Sequence, residues 1–164
     1  MAQFSDGAAA AILSTEGAGL ALGESLSAAL DDSAGLITWT IGDTGFLMNL
    51  SGEVPGRLAR ALADPALTDR ILDGVSPDAI DAWAVHPGGK SILDAVERGF
   101  GLPDDALAES REVLRAFGNM SSATILFVLE RIMAREPPNG VALAFGPGIA
   151  MEGFRFGWTE GDAG

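Results

Sequence analysis

Apolar positions recur most regularly in the second half of the chain. Beyond Gly88 and Gly89, residues Ile92, Leu93, Val96 and Phe100 fall at helical spacing and predict a helix with one buried face. Asp104 is suited to cap a second helix, with Leu107, Leu114 and Phe117 turned inward and Gly118 closing it. Ser121 or Ser122 then caps a third, whose face is Ile125, Val128, Leu129, Ile132 and Met133, and Pro137-Pro138 stops it. Upstream, Pro55 suits a helix start, and Leu58, Leu62 and Ala66 space like one face.

Strand patterns lie between these helices. The run LITWTIGDTGFLMNLS predicts a hairpin, residues 36–41 and 46–51, around a Gly-Asp-Thr-Gly turn. Residues 78–86 predict a short buried strand that ends at His86 and breaks at Pro87-Gly88-Gly89. GVALAFGPGIAMEGFRF reads as two β runs joined through Gly146-Pro147-Gly148. Two stretches are less decided. Residues 4–14, rich in alanine, suit a helix or a strand packed on both faces, and residues 15–33, rich in Gly, Ala and Ser, read as irregular. The order predicts an α/β fold with a mainly buried sheet, one domain over residues 1–164, and a frayed tail from residue 158.

Composition narrows the functions. The 23 acidic against 10 basic residues give a net charge of −13, which disfavours nucleic-acid binding. With no cysteine, the chain cannot form a disulfide, a thiolate metal site or a cysteine nucleophile of its own. No run reaches the roughly 20 apolar residues of a membrane span, and the start has no basic stretch of a signal peptide. A cytoplasmic location is expected, and the Asn49-Leu50-Ser51 and Asn119-Met120-Ser121 sequons are chance matches.

His86 is the chain's single histidine. At the end of a buried strand it can move a proton, polarise a carbonyl or favour a thiolate, or it can be a structural residue satisfied by backbone. A metal site is disfavoured, since no second His or Cys joins it. Asn119, after Gly118, is either a turn residue or an amide donor aimed at a developing oxyanion. The Gly146-Pro147-Gly148 segment lacks dinucleotide-loop spacing and a P-loop lysine, leaving a tight turn or a backbone wall beside a ligand. Ser121 has no G-x-S-x-G elbow around it.

Three segments occur in one order: WAVHPGGKSILDAVE, REVLRAFGNMSSATILFVLE and ALAFGPGIAMEGF. This ordered set resembles the C-terminal half of the chalcone/stilbene synthase family, the type III polyketide synthases. FSDGAAAAIL and GFLMNLSGEVPG resemble earlier segments of the same half. The resemblance implies one half of a thiolase-like fold, a mixed sheet covered by helices, and a homodimeric enzyme. Such an enzyme loads an acyl group from coenzyme A onto a cysteine and extends it with malonyl-CoA by decarboxylative condensation.

By the same resemblance His86 and Asn119 belong to a Cys-His-Asn triad whose cysteine lies in the N-terminal half. Gly88 and Gly89 let a pantetheine arm pass, and Lys90 and Ser91 lie where the coenzyme A tunnel runs. Ser121 lines the acyl cavity, while Phe145, Gly146, Pro147 and Gly148 shape the cyclisation pocket. Met48 or Phe46 gates it; counting back from Val54-Pro55-Gly56 favours Met48, but Phe46 shares its strand face. The implied substrates are acyl-CoA and malonyl-CoA, with no further cofactor, metal, nucleic acid or membrane. The implied partner is an N-terminal half carrying the cysteine, or a second copy. Without that cysteine, the chain is expected to be inactive alone, as part of a whole enzyme or as one chain of a split enzyme. The remaining alternative is a non-catalytic binding subunit that keeps the half-fold.

Overall fold

In the computed structural model, which describes residues 4–161, three strands are followed by two α-helices, a fourth strand, three more α-helices and two last strands. The strands are β1 (Gly19–Ala29), β2 (Ile37–Gly42), β3 (Gly45–Leu50), β4 (Ala82–Val85), β5 (Gly140–Gly146) and β6 (Ala150–Thr159). The helices are α1 (Val54–Leu62), α2 (Pro65–Leu72), α3 (Lys90–Phe100), α4 (Ala108–Phe117) and α5 (Thr124–Met133). Four strands form a mixed sheet in the order β1-β6-β5-β4, with only β4 and β5 parallel, while β2 and β3 pair as a separate hairpin.

Side-chain alternation divides the core between the two sheet faces. Trp83, Val85, Val141, Leu143 and Met151 meet α1, α2 and α3 on one face. Ala82, Ala84, Ala142 and Phe156 meet α5 and Val113 of α4 on the other. The alanines keep that second face low, so a helix can lie close to it. The Phe156 ring in turn covers Gly140, its register partner, where an added Cβ would stand 2.4 Å from the ring. β4 ends the sheet but is wholly buried, and the Val85 N–H donates to the Ser110 hydroxyl of α4 at 3.2 Å. This satisfies a group that would otherwise be costly to bury.

The hairpin forms around the Gly-Asp-Thr-Gly turn as predicted, with Ile37 opposite Leu50, Trp39 opposite Met48 and Ile41 opposite Phe46. Other expectations need correction. Residues 15–33 are not irregular, because β1 runs antiparallel to β6 through most of them. A bulge between Leu22 and Ser25 inserts one residue. Leu20 consequently packs in the second core, whereas Leu26 and Ala28 pack in the first. This phase switch conceals the period of two.

Residues 4–14 form neither helix nor ladder strand; only Phe4 bridges to Asn119. Ala66 is exposed and is not on the face of α1, since Asp64 caps a new helix by accepting the Ala66 N–H at 3.0 Å. Asp104 does not cap α4, whose cap position is Leu107, and Phe117 is 42% exposed beside Phe127 rather than inward. Ser121 and Ser122 lie in a 3₁₀ turn ahead of α5, Ala123 holds the cap position, and Met133 is exposed. The tail is ordered further than expected: β6 includes Trp158 and Thr159, and the Trp158 N–H donates to the Pro137 carbonyl at 2.8 Å. The last three residues of that tail lie outside the described range. Among the described residues, no helix is long and apolar enough to cross a membrane.

Candidate active site

β4 carries the chain to His86, whose N–H extends the parallel ladder by donating to the Leu143 carbonyl at 2.8 Å. The His86 carbonyl then accepts the Gly88 N–H at 2.9 Å, closing a tight turn. Gly89 takes the cap position of α3, and its carbonyl accepts the Ile92 and Leu93 N–H groups. A Cβ on Gly88 would stand 3.8 Å from the imidazole Cδ2, so its absence leaves that approach to the ring open.

Burial lowers the His86 pKa from 6.5, because desolvation disfavours the imidazolium. The neutral ring is the form that can take a proton. The unfolded chain binds the proton more readily than the folded chain. The resulting stability is therefore complete above 6.5 and is lost as pH falls through the lowered folded value. With a single histidine, a His86→Ala variant should lack this loss. Urea midpoints followed from about pH 8 to about pH 5 check it: parallel curves for the two proteins would contradict the shift.

Asn119 arrives from the other side, after α4 closes at Gly118 with φ 75°. Its side chain is buried and held at both ends. Oδ1 accepts the Ser121 N–H at 2.8 Å, and Nδ2 donates to the Gly88 carbonyl at 3.3 Å. The contact joins the Asn119 turn to the turn after His86. One of the two Nδ2 hydrogens goes to Gly88, leaving the other to donate elsewhere.

His86 and Asn119 line one cavity of about 180 Å³, together with Gly88, Ser121, Met48, Phe145, Gly146 and Pro147. Met48 is on the wall, whereas Phe46 shares its face nearer the hairpin tip, 66% exposed and edge-on to Trp39. Gly89, Lys90, Ser91 and Gly148 are not on the wall. Lys90 and Ser91 are exposed at the start of α3, and the Gly148 carbonyl accepts the Ser33 hydroxyl.

Five wall residues were not among the site residues read from the sequence: Phe4, Ile37, Trp39, Leu50 and Ile92. Hairpin alternation carries the signal for three of them, since Ile37, Trp39 and Leu50 share the Met48 face. A wider recess of about 390 Å³ opens at the opposite end of the sheet. Its one charged wall residue, Arg155, is engaged by Asp73 at 2.8 Å, so the recess holds no acid–base pair. Among the described residues, no group of three or more His, Asp or Glu could hold a metal ion.

A mixed sheet covered by helices, with an imidazole and an oriented amide facing one cavity at its strand ends, defines a thiolase-like α/β half. The chain belongs to the chalcone and stilbene synthases: residues 21–157 match the C-terminal domain of that family. It is 34% identical over 166 residues to the alpha-pyrone synthesis polyketide synthase-like Pks18 of Mycobacterium tuberculosis, covering 93% of this chain and 42% of that protein. The Mycobacterium bovis protein of the same name matches equally. Among solved structures it is similar to PKS-I from the brown alga Ectocarpus siliculosus, with TM-score 0.78 and 29% identity over 85% of this chain and 40% of that one. It is also similar to the C-terminal type III polyketide synthase domain of Steely1 from Dictyostelium, with TM-score 0.77 and 26% identity over the same shares. The chain thus spans about two fifths of the length of these relatives.

Proposed function

We propose that this chain supplies the His and Asn of a Cys-His-Asn condensing centre that joins acyl-CoA starters to malonyl-CoA. The observation that carries the reading is the meeting of His86 and Asn119 on one cavity, with the Asn119 amide held so that its nitrogen is the donor.

The neutral His86 imidazole takes the proton of a cysteine supplied by the other half; the thiolate attacks the acyl-CoA thioester, the acyl group passes to the cysteine, and coenzyme A leaves as the thiol with the proton from His86. Malonyl thioester then loses carbon dioxide, and the electrons of the broken C–C bond move into an enolate. Charge builds on the thioester oxygen, where the His86 and Asn119 N–H groups donate. The enolate carbon attacks the acyl thioester, a new C–C bond forms, and the cysteine leaves as thiolate. Gly88 keeps the approach to the imidazole open, and Met48 and Phe145 bound the space for the growing chain.

Purified alone and given acyl-CoA and malonyl-CoA, the chain is expected to form neither polyketide nor covalent acyl adduct. Mixed with a cysteine-bearing N-terminal half of the same family, it is expected to form both. Product from the chain alone would refute the reading. The lack of cysteine also favours a second reading, a binding subunit that keeps the half-fold without catalysis. That reading predicts association with such a half but no product from the mixture.

A further inference from the structure

Thr124 is one of the few polar side chains fully buried in this protein, and it begins α5. A threonine at a helix start ordinarily turns its hydroxyl forward, to an N–H of the first turn. Thr124 turns its hydroxyl backward. Oγ1 accepts the Met120 N–H at 2.8 Å and donates to the Ser121 carbonyl at 2.8 Å. Both partners belong to the turn that follows Asn119, so one buried hydroxyl ties the two sides of that turn together.

The turn is not a relaxed one. Ser121 has φ 59°, in the left-handed region that a residue with a Cβ holds only when its surroundings impose it. In that conformation the Ser121 N–H meets Asn119 Oδ1 at 2.8 Å. Fixing the oxygen of an amide fixes its nitrogen as well, which here donates to the Gly88 carbonyl.

We propose that Thr124 is a positioning residue, acting through the Met120–Ser121 turn to orient the Asn119 amide toward the cavity. Its meaning for catalysis rests on the proposed role of Asn119; the orientation itself does not. Replacing the hydroxyl by a methyl leaves the Met120 N–H and the Ser121 carbonyl without this partner, and the strained turn loses its tie.

Nuclear magnetic resonance of the full chain tests this, since it contains only three asparagines and one glutamine. Asn139, held by Asp81 through both ends of its amide, serves as the reference. In Thr124→Val, the Asn119 Nδ2 proton shifts should move toward those of a solvent-exposed asparagine. The Met120 N–H should exchange about tenfold faster, as for loss of one ordinary hydrogen bond. Asn139 should not change, and Thr124→Ser should restore both signals. Unmoved Asn119 shifts in the folded Val variant, protection lost evenly along α5, or no rescue by Ser would each overturn the proposal.

If the Val variant does not fold, the native chain still decides. The Thr124 hydroxyl proton should exchange slowly and show a through-space contact to the Met120 N–H, and its absence would overturn the proposal. An Asn119 variant that kept decarboxylation would dismiss the catalytic reading without altering the shifts measured for Asn119 in the native and Thr124 variants, so the two failures are distinguishable.

Discussion

Paired with a cysteine-bearing half, Asn119→Ala is expected to load starter normally and to decarboxylate malonyl-CoA about 10²–10³-fold more slowly. The amide matters only as enolate charge develops, so its loss falls on extension. His86→Ala is expected to fail in both steps, because the thiol also loses the base that ionises it. Alanine at position 119 removes the acceptor of the Ser121 N–H as well, which costs about 1–3 kcal/mol of local stability. Asn119→Asp separates the effects, since a carboxylate keeps that acceptor but cannot donate. It should be as slow in decarboxylation as the alanine variant. Adduct formation by mass spectrometry and carbon dioxide release, measured separately on folded variants, check the split. Equal and full activity in both variants would remove the assignment.

The largest effect on stability is expected at Gly153→Ala. Gly153 sits inside β6, opposite Leu143 of β5 on one side and Leu26 of β1 on the other. An added Cβ would lie 2.3 Å from the Ala142 carbonyl oxygen and 2.8 Å from a Leu143 methyl. The nearest obstacle is backbone of the neighbouring strand, which cannot yield without parting the ladder. The expected loss is about 3 kcal/mol, the upper end of what overpacking ordinarily costs and a large share of the stability of a domain this size. Gly35→Ala, with open space around it and no positive φ, should change stability by no more than about 0.5 kcal/mol. Urea unfolding of the two variants side by side measures the contrast; similar midpoints would show that β5 and β6 can yield after all.

What could be read from the chain, and what could not, follows from how local the signal is. The hairpin was legible because β-branched and aromatic residues flank a Gly-Asp-Thr-Gly turn, and α3 because Ile92, Leu93, Val96 and Phe100 all bury on one side. β1 was hidden by a single inserted residue that reverses its alternation, and by small residues that suit loops as well as edge strands. Phe117 followed the helical period, yet at the last position of α4 its ring rests against Phe127 and under the Arg131 guanidinium. His86 and Asn119 stood out through the segments around them. Their convergence on one cavity is a property of the sheet and turns, and no local pattern reports it. Thr124 gave no signal at all, since a threonine opening a helix reads as an ordinary first-turn residue.

The cavity has two kinds of wall, and they differ in how freely they can change. His86 and Asn119 hang from a buried sheet edge and a clamped turn, where nearly every substitution disturbs something else. Trp39, Met48 and Leu50 stand on a two-stranded ribbon outside the main sheet, each more than a third exposed. Exchanging them for larger or smaller apolar residues removes little core packing and touches no polar contact. The hairpin side of the chamber can therefore take different sizes and shapes while His86 and Asn119 keep their places. In such an architecture, the shape of the chamber is free to diversify separately from the polar pair that faces it.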